Sequence, residues 1–277
     1  MQRTLRKVAD AAVHIPLTLG AMIMAIPFLW LISTAFKVEK EVVAWPPLLI
    51  PREWTLVNFV GVFKAAPFQT YFLNSLLFAL ASTAGILVTS TVAGYVLAKI
   101  KFPGRGALFV SVLATAIVPF EIYMIPLYVT MKDLGLINSF TGIAMPYLVM
   151  SFGIFFMRQN ILASIPDELL EAARIDGASE LRTFLQIVVP LLKGAMSALA
   201  IFAFIQGWNA FIWPLLMATD QTNYTMELGL AKFQSAFTIN FGLSSAGSVI
   251  SIAPIIIMFL LLRRHIVDGL ALTGLKS

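Results

Sequence analysis

The polar residues that could do chemistry fall into two groups, and the first is scattered through apolar surroundings. One acid, three amides and two aromatic residues there could bind the hydroxyl groups of a solute or stack on its ring: Glu121, Asn74, Gln206, Asn209, Trp208 and Tyr128. The second group is a cluster of five acids: Asp167, Glu168, Glu171, Asp176 and Glu180. The sequence has no cysteine and two histidines, which excludes thiolate sites and multi-histidine metal centres. We therefore expect no metal site.

The composition indicates the solvent in which these residues work. Apolar residues make up 59% of the 277 residues and charged residues 12%, against about 45–50% and 25% in globular proteins. With a mean hydropathy of +0.89, much of the chain must face lipid rather than water. The net charge of +5 could suggest a nucleic-acid partner. In a membrane protein, however, the distribution of cations between the two sides is the informative quantity, so we expect no nucleic acid.

Long stretches without charge predict an all-α protein with six transmembrane helices. Each stretch is long enough to cross the hydrocarbon, which takes about 20 residues. The first is too long for the apolar part of a signal peptide and is expected to be retained. The predicted spans within a single transmembrane domain (1–277) are 11–36, 71–98, 107–131, 138–157, 194–219 and 244–262, with a long loop at 158–193.

Lysine and arginine set the orientation. They are about twice as frequent at the two termini and in the second and fourth loops as on the opposite side. Both termini and the 158–193 loop are therefore predicted to be cytoplasmic. The first loop, from Lys37 to about Thr70, lies outside and contains two tryptophans and four prolines. It could present a folded surface to something outside the cell.

The polar residues in the spans allow two interpretations. Glu121 is the only acid in a predicted span and lies between Pro119 and Pro126, where an irregular helix is expected. It could contact a solute or a gate, or it could lie near the outer interface or against a neighbouring helix. The amides could likewise form hydrogen bonds between helices, and Trp208 and Tyr128 could serve packing alone.

The acidic cytoplasmic loop predicts two short helices with a bend between them. Ser164 is expected to cap the first helix, whose first turn contains Asp167 and Glu168. Gly177 is expected to end it in the left-handed conformation, and Ser179 to start the second helix. Such a pair could dock onto another protein. The alternative is an interfacial helix resting on lipid headgroups, which five acids disfavour near an anionic membrane.

Several segments resemble one transporter family over nearly the whole chain. Residues 171–178, Glu-Ala-Ala-Arg-Ile-Asp-Gly-Ala, resemble the EAA loop of binding-protein-dependent ABC importer permeases. Other segments are similar to the MalG-like sugar branch of that family: Asn58-Phe59, Asn74-Ser75, Pro126-Leu127-Tyr128, Ile165-Pro166-Asp167-Glu168-Leu169, Trp208-Asn209, Trp213-Pro214-Leu215 and Val267-Asp268-Gly269-Leu270. The tail, Leu272-Thr273-Gly274-Leu275-Lys276, departs from the family pattern.

The resemblance implies a fold, a mechanism and partners. The fold would be that of a type I ABC importer permease, with a cytoplasmic coupling helix between transmembrane helices 4 and 5. The coupling residues would be Glu171 for a charged contact, Ala172 and Ala173 for close packing, and Asp176 and Gly177 at the bend. The partners would be a homologous second permease, a cytoplasmic ATPase dimer, an extracytoplasmic solute-binding protein and the lipid bilayer of a bacterial inner or plasma membrane.

The sequence itself supplies no ATP site, because it has no Walker A pattern, and no cofactor is expected. The resemblance implies a sugar or oligosaccharide as cargo, with glycerol-3-phosphate or another polyol or phosphoester as the alternative. The absence of lysine and arginine from the predicted spans favours a neutral cargo. An ion-coupled secondary transporter stays open as a different class, although Glu121 has no obvious counterpart in the second half. A membrane-embedded enzyme lacks converging catalytic groups.

Overall fold

The computed structural model describes residues 2–236 and 240–274, and the side chains of 12–233 and 240–263. Apart from an isolated bridge between Lys37 and Trp54, the regular structure in this part of the chain is helical. The α-helices are α1 (Gln2–Ala35), α2 (Glu39–Val42), α3 (Val57–Ala65), α4 (Phe68–Lys99), α5 (Arg105–Ile117), α6 (Phe120–Asp133), α7 (Phe140–Ala144), α8 (Ser151–Ser164), α9 (Asp167–Ile175), α10 (Glu180–Thr183), α11 (Val189–Leu191), α12 (Lys193–Trp208), α13 (Ile212–Met217), α14 (Met226–Ala236) and α15 (Phe241–Gly274). Short 3₁₀ turns lie at Met145–Tyr147 and Gln221–Asn223, and a π-helical turn at Phe184–Val188.

The described helices provide up to six membrane crossings. Four stretches are long and apolar enough to cross alone: Ala12–Ala35, Phe68–Lys99, Lys193–Met217 and Phe241–Arg263. Two bent pairs add one crossing each if each pair is taken as one span: α5 with α6, bent by 97°, and α7 with α8, bent by 42°. The ends of the four long stretches differ by only a few residues from those expected from the charge gaps.

The third crossing is broken where the sequence predicted helix irregularity. Helix α5 ends at Ile117, and Pro119 precedes the first residue of α6 in an extended conformation. Proline has no N–H to donate to a preceding turn, so a helix running through this position would lose a hydrogen bond. Glu121 consequently lies in the first turn of α6, where its negative charge faces the positive end of the helix.

The fourth crossing continues beyond its first charged residue. The sequence placed the cytoplasmic loop from residue 158 onward, but α8 runs on to Ser164. Arg158 is accommodated within the helix because its Nε donates to the Leu97 carbonyl at 3.1 Å and its guanidinium lies 4.0 Å from the centre of the Phe109 ring. A charge satisfied in this way does not end a helix.

The chain divides into two compact units, of which the first comprises Met1–Phe68 and Leu230–Ile252. Its loop between α1 and α3 is folded around two buried charged residues. The Lys37 ammonium donates to the Leu48 carbonyl and lies 4.5 Å from the Trp30 ring, while the Glu41 carboxylate accepts the Arg52 and Glu53 amides at 3.1 and 3.2 Å. The Asn58 side chain donates to the Ala35 and Lys37 carbonyls. These bonds fix the loop as a surface rather than a flexible connection.

The second unit comprises Gln69–Gly229 and Ala253–Ser277 and contains the acidic loop. Two apolar clusters form its core. One packs α4 against α8, α9 and α12 through residues that include Tyr95, Met157, Leu170 and Leu199. The other gathers Phe78 of α4 with residues of α6, α7, α13 and α14. Helix α4 contributes to both clusters and is therefore the common support of this unit.

Glycines allow α4 and α8 to approach closely. A Cβ at Gly94 would lie 2.9 Å from the Arg158 backbone nitrogen and 3.0 Å from the Met157 Cβ. A Cβ at Gly153 of α8 would collide with the Ser90 hydroxyl. The lack of a side chain at Gly94 lets the backbones of the two helices come this close. The α4–α8 pair leads directly into the acidic loop.

Candidate functional site

The acidic loop forms a short exposed helix held between two structured ends. Helix α9 begins at Asp167, directly after the extended residue Pro166. The predicted cap at Ser164 is wrong, because Ser164 is the last residue of α8 and α9 has no side-chain cap. A side-chain cap is less necessary here because the first turn contains Asp167 and Glu168, whose negative charges stabilise the helix N-terminus.

The bend after α9 has the predicted geometry. Gly177 has a φ of +78°, and the Ala178 amide donates to the Ala173 carbonyl at 2.9 Å. The chain then restarts at α10, where the Ser179 hydroxyl accepts the Arg182 amide at 3.3 Å. The second helix continues through a π-helical turn and α11 towards α12. The acidic loop is thus helix, glycine bend and helix.

The residues proposed for coupling divide between two faces of α9. Glu171, Ala172, Asp176 and Gly177 are exposed, and Ile175 is 86% exposed. Ala173 is 6% exposed and Leu170 3%, so these two face the protein's own core. The pair of alanines expected to pack against a partner therefore has one outward member, Ala172, while Ala173 lets α9 lie close to its own chain. Ile175 thus adds an apolar contact to the acids on the outward face of α9.

Lys99 ties the start of α9 to the end of α4. Its side chain is only 6% exposed, and its ammonium donates to the Ile165 carbonyl at 2.6 Å and to the Asp167 Oδ1 at 2.5 Å. The hydrogen bond and charge of Lys99 hold the pKa of the Asp167 carboxyl below its usual range. Because Ile165 is itself buried, this contact fixes the backbone at the point where α8 turns into α9.

A second tie secures the end of α9. The Glu180 carboxylate accepts a hydrogen bond from the Arg174 Nε at 2.7 Å and from the Tyr95 hydroxyl at 3.1 Å. Both bonds favour the charged carboxylate, and the Arg174 contact is the main reason that the pKa of Glu180 lies below its usual range. Tyr95 lies on α4 one turn before Lys99. Both ends of α9 are therefore fixed to the same stretch of α4.

Sequence reasoning missed these ties. It counted Lys99 as one of the cytoplasmic cations and Glu180 as one of the clustered acids, and it did not consider Tyr95. The available signal was the position of Lys99, directly after the uncharged span 71–98. Its partners are 66 and 68 residues further along the chain, and only the fold brings them together.

Among the residues proposed for a solute path, two have structural roles. The Asn74 amide donates to the Thr222 and Tyr224 carbonyls at 2.7 and 3.0 Å. Trp208 is fully buried and packs against Phe72 and Phe204, with ring centroids 5.5 and 5.9 Å apart. In the isolated chain, Asn74 thus joins α4 to the 3₁₀ turn at Gln221–Asn223 and the residue after it, and Trp208 packs in the core.

Three other proposed path residues are exposed. Gln206 and Asn209 lie at the end of α12 with Phe202 on the same exposed side, and Glu121 lies at the start of α6. Tyr128 is half-buried within α6 and packs against the core cluster that contains Phe78. The structure leaves Gln206, Asn209 and Glu121 available to a solute, water or a partner subunit.

A polar network that sequence reasoning did not predict joins two loops next to Asn74. The Asn138 side chain accepts the Thr219 amide at 2.9 Å and donates to the Asp220 carboxylate, while the backbone carbonyl of Asn138 accepts the Asn223 side chain at 2.8 Å. Hydrogen bonds from Thr222 and Asn138 lower the pKa of Asp220. Asn138 has a φ of +56°, a conformation that asparagine tolerates better than most residues. The network fixes the turn that Asn74 holds.

The similar segment Val267-Asp268-Gly269-Leu270 lies in the part of α15 whose side chains are not described. The tail at 272–276, which departs from the family pattern, also lies outside the described side chains. Its last two residues lie beyond the described backbone as well.

Curated proteins similar to this chain are transport permeases. The arabinooligosaccharides transport system permease protein AraQ of Halalkalibacterium halodurans is 36% identical over 268 residues, which cover 94% of this chain and 96% of that protein. The sn-glycerol-3-phosphate transport system permease protein UgpE of Yersinia pseudotuberculosis is 31% identical over 273 residues, covering 96% and 97%. These likenesses extend over nearly the full length of both relatives.

A solved structure has the same fold. It is that of a bacterial ABC transporter involved in the import of the acidic polysaccharide alginate, whose matched chain superimposes with a TM-score of 0.82 at 22% identity, covering 93% of this chain and 96% of that chain. At this identity the likeness concerns the fold alone. It supports counting each bent helix pair as one crossing, which gives the six-helix fold of a type I ABC importer permease with α9 between the fourth and fifth crossings.

A family profile matches the larger part of the chain, including every residue of the acidic loop. The match runs over residues 90–270, from the second half of α4 to α15, and the family is described as binding-protein-dependent transport system inner membrane component. The helix-bend-helix element, the six crossings and the relatives agree with it. The chain belongs to the family of inner membrane components of binding-protein-dependent transport systems.

Proposed function

We propose that the chain is one of two homologous membrane subunits of an ATP-driven importer, with both termini and α9 in the cytoplasm. The excess of lysine and arginine on the α9 side supports this orientation. The exposed Trp45 and Trp54 belong to the folded loop on the opposite side, where a solute-binding protein would dock. The bacterial inner or plasma membrane is the corresponding location.

The observation that carries the proposal is the way in which α9 is held. Its outward face presents Glu171, Ala172, Ile175 and Asp176, whereas both its ends are bonded to α4 through Lys99 and Glu180. A force applied to the outward face would therefore be passed to α4 instead of being absorbed in a loop. This is the property required of a coupling helix that sits on an ATPase subunit.

The roles of the coupling residues follow from their positions. Glu171 offers an exposed carboxylate to a basic group of the ATPase. Ala172 and Ile175 offer small and apolar contacts, and Gly177 gives the bend that ends α9. ATP hydrolysis would be supplied by a separate ATPase dimer, since this chain has no Walker A pattern. The permease itself would not be an enzyme.

The proposed cargo is a neutral sugar or short oligosaccharide. The 36% identity to an arabinooligosaccharide permease and the lack of lysine and arginine in the predicted spans support it. The 31% identity to a glycerol-3-phosphate permease supports the alternative of a polyol phosphate. Asn209, Gln206 and Glu121 are the exposed polar residues that could contact a cargo, and Asn74 and Trp208 would support them from behind.

The coupling proposal is tested with the charge of Glu171. In the transporter purified with its second permease and ATPase subunits, Glu171→Lys should abolish the stimulation of ATP hydrolysis by cargo-loaded binding protein and release the ATPase. Asp133→Lys makes the same change at an exposed residue on the outer side and should leave both unchanged. If Glu171→Lys retained stimulated hydrolysis and ATPase binding, α9 would not be the coupling helix.

The cargo is tested separately, through the solute that the partner binding protein retains on purification. Mass spectrometry of the released solute should identify a neutral sugar or oligosaccharide. That solute, and not glycerol-3-phosphate, should stimulate ATP hydrolysis by the reconstituted transporter. A retained phosphoester with matching stimulation would replace the sugar proposal while leaving the coupling proposal intact.

A further inference from the structure

An apolar groove runs along the outside of the second unit between α4 and α5. It is lined by Val88, Thr89, Val92, Ala93, Val96 and Leu97 of α4 and by Leu108 and Val112 of α5, and its volume is about 460 Å³. Val88, Val92 and Val96 follow one another at a spacing of four residues on one exposed face of α4. The groove is therefore a continuous apolar surface that is open on its outer side.

The one hydroxyl in the groove is already satisfied. The Thr89 hydroxyl donates to the Gly85 carbonyl at 2.8 Å, and the Leu148 carbonyl lies 3.0 Å from the same oxygen. Since its polar atom is engaged within the protein, the lining offers a ligand only apolar contacts. A hydrocarbon chain is the ligand that such a surface suits.

The groove has the height of one lipid leaflet. Val88 and Leu97 are nine positions apart, which at roughly 1.5 Å per residue corresponds to about 14 Å along α4. Half of a hydrocarbon core of about 30 Å is about 15 Å. The groove therefore matches an acyl chain of the leaflet on the α9 side rather than a chain that crosses the midplane.

Two guanidinium groups meet at the end of the groove. The Arg158 Nε donates to the carbonyl of Leu97, the last α4 residue of the lining, at 3.1 Å. The Arg105 Nη1 donates to the next carbonyl, that of Ala98, at 3.4 Å and to that of Ile100 at 3.3 Å. The Arg158 group also lies over the ring of Phe109, which follows the groove residue Leu108. Both cations are thus held by backbone at one place.

These guanidinium groups have donors to spare. Each engages one nitrogen in the bonds above, and within the described part of the chain the other guanidinium nitrogens make no hydrogen bond. Asp167 is the acid near this end, and Lys99 binds its carboxylate. Lys101 adds a further exposed cation in the same loop. A net positive site with free, planar donors suits a phosphate group.

We propose that this groove binds an anionic phospholipid, with an acyl chain along α4 and α5 and the phosphate at Arg105 and Arg158. The apolar channel, the leaflet height and the charge at its end each fit a different part of such a lipid. Basic pockets between transmembrane helices on the cytoplasmic side are a known way of binding anionic headgroups. The lipid would brace α5 against α4, next to the contact that fixes α9.

The headgroup part of the proposal is tested by lipid retention. The full chain is reconstituted in nanodiscs with equal phosphatidylglycerol and phosphatidylcholine, then released into detergent and analysed by native mass spectrometry. The protein should retain phosphatidylglycerol preferentially. Arg105→Gln should reduce that preference by roughly tenfold, because a charge-assisted hydrogen bond is lost. Arg182→Gln removes one charge from the same side, outside the groove, and should have no effect.

The groove part is tested by filling it. Val92→Phe occupies the channel and should abolish the retained lipid, whereas Leu77→Phe, at an exposed residue of the same helix away from the groove, should not. Neither variant touches the guanidinium contacts, so a folding defect of an arginine variant would not obscure the answer. Equal retention of both lipids by the unaltered chain, or equal effects of the two phenylalanines, would overturn the proposal.

A helix of the second permease could occupy the groove instead. In the complete transporter, Val88→Cys labelled with a photoactivatable maleimide would then cross-link to that subunit on illumination, and the bound phosphatidylglycerol would be missing. Either result would refute the lipid site without affecting the coupling proposal. Retained phosphatidylglycerol in the complete transporter, without such a cross-link, would support it.

Discussion

At Gly177 the backbone has a φ of +78°, and there is open space where a Cβ would be. The requirement there is conformational. Gly177→Val should destabilise the bend by about 1–2 kcal/mol, because a left-handed conformation is costly for a branched side chain. Gly177→Asn should retain most of the ATPase stimulation, because asparagine tolerates this conformation. If Asn failed as badly as Val in that assay, the partner would require the glycine surface itself.

Lys99 is the residue whose loss should loosen α9 most directly. Lys99→Met removes the donor to the buried Ile165 carbonyl, which should cost about 1–3 kcal/mol of stability. The same variant should uncouple ATP hydrolysis from cargo-loaded binding protein, since α9 is no longer held at its start. Lys99→Arg keeps a cationic donor and serves as the control. A thermal midpoint unchanged by Lys99→Met would show that the contact is not maintained.

The carboxylate of Glu180 gives this tie a pH dependence. Its pKa is lowered in the folded protein, chiefly by the Arg174 hydrogen bond, so its contribution is complete above the unfolded pKa and is lost as pH falls through the folded value. The difference in thermal midpoint between the unaltered chain and Glu180→Gln should be constant well above the ordinary glutamate pKa of about 4.3 and shrink as the pH falls below it. A difference that stayed constant below that value would contradict the contact.

At the level of helices, the α4–α8 pair depends on a glycine. A Cβ at Gly94 would come within 2.9 Å of the Arg158 backbone, which cannot move aside as a flexible side chain would. Gly94→Ala should therefore lower stability by about 1–3 kcal/mol through overpacking. Gly20→Ala lies in α1 with nothing within 4 Å, so it should not destabilise the protein and should raise stability by at most about 1 kcal/mol through helix propensity. Thermal unfolding in detergent measures both.

The helices show which parts of the fold can be predicted from the sequence. Uncharged stretches marked the long helices because charge is excluded from lipid by a local energetic cost. The extension of α8 through Arg158 was not visible, since it depends on a carbonyl of α4 and a ring of α5. The absence of a cap at Ser164 has the same origin, because α8 continues to that residue. The predictions from local signals, at Gly177 and Ser179, are confirmed, whereas features that depend on contact with another helix were not predicted.

The candidate site shows the same division. The exposed motif residues of α9 were predicted from their resemblance and their spacing. The inward orientation of Ala173 and the ties of Lys99 and Glu180 required the fold, because they join segments far apart in the sequence. Burial of Trp208 likewise depends on Phe72 of α4. A sequence can reveal what a surface offers to a partner more readily than what holds that surface in place.

For the whole molecule, the distribution of cations makes one prediction that covers every crossing. If both termini are cytoplasmic, Trp45 and Ile175 lie on opposite sides of the membrane, and both are highly exposed, at 91% and 86%. The chain has no cysteine, so single cysteines can be introduced without any background. In intact cells or right-side-out vesicles, a membrane-impermeant maleimide should label Trp45→Cys directly.

The same reagent should label Ile175→Cys only after the membrane is permeabilised. An odd number of crossings between the two residues would place them on opposite sides of the membrane. The excess of lysine and arginine then decides which of the two sides is cytoplasmic. Labelling of both variants in intact cells would require an even number of crossings and would contradict the pairing of α5 with α6 or of α7 with α8 as single spans. Labelling with the two sides exchanged would leave the fold intact but place α9 outside, where no ATPase could reach it.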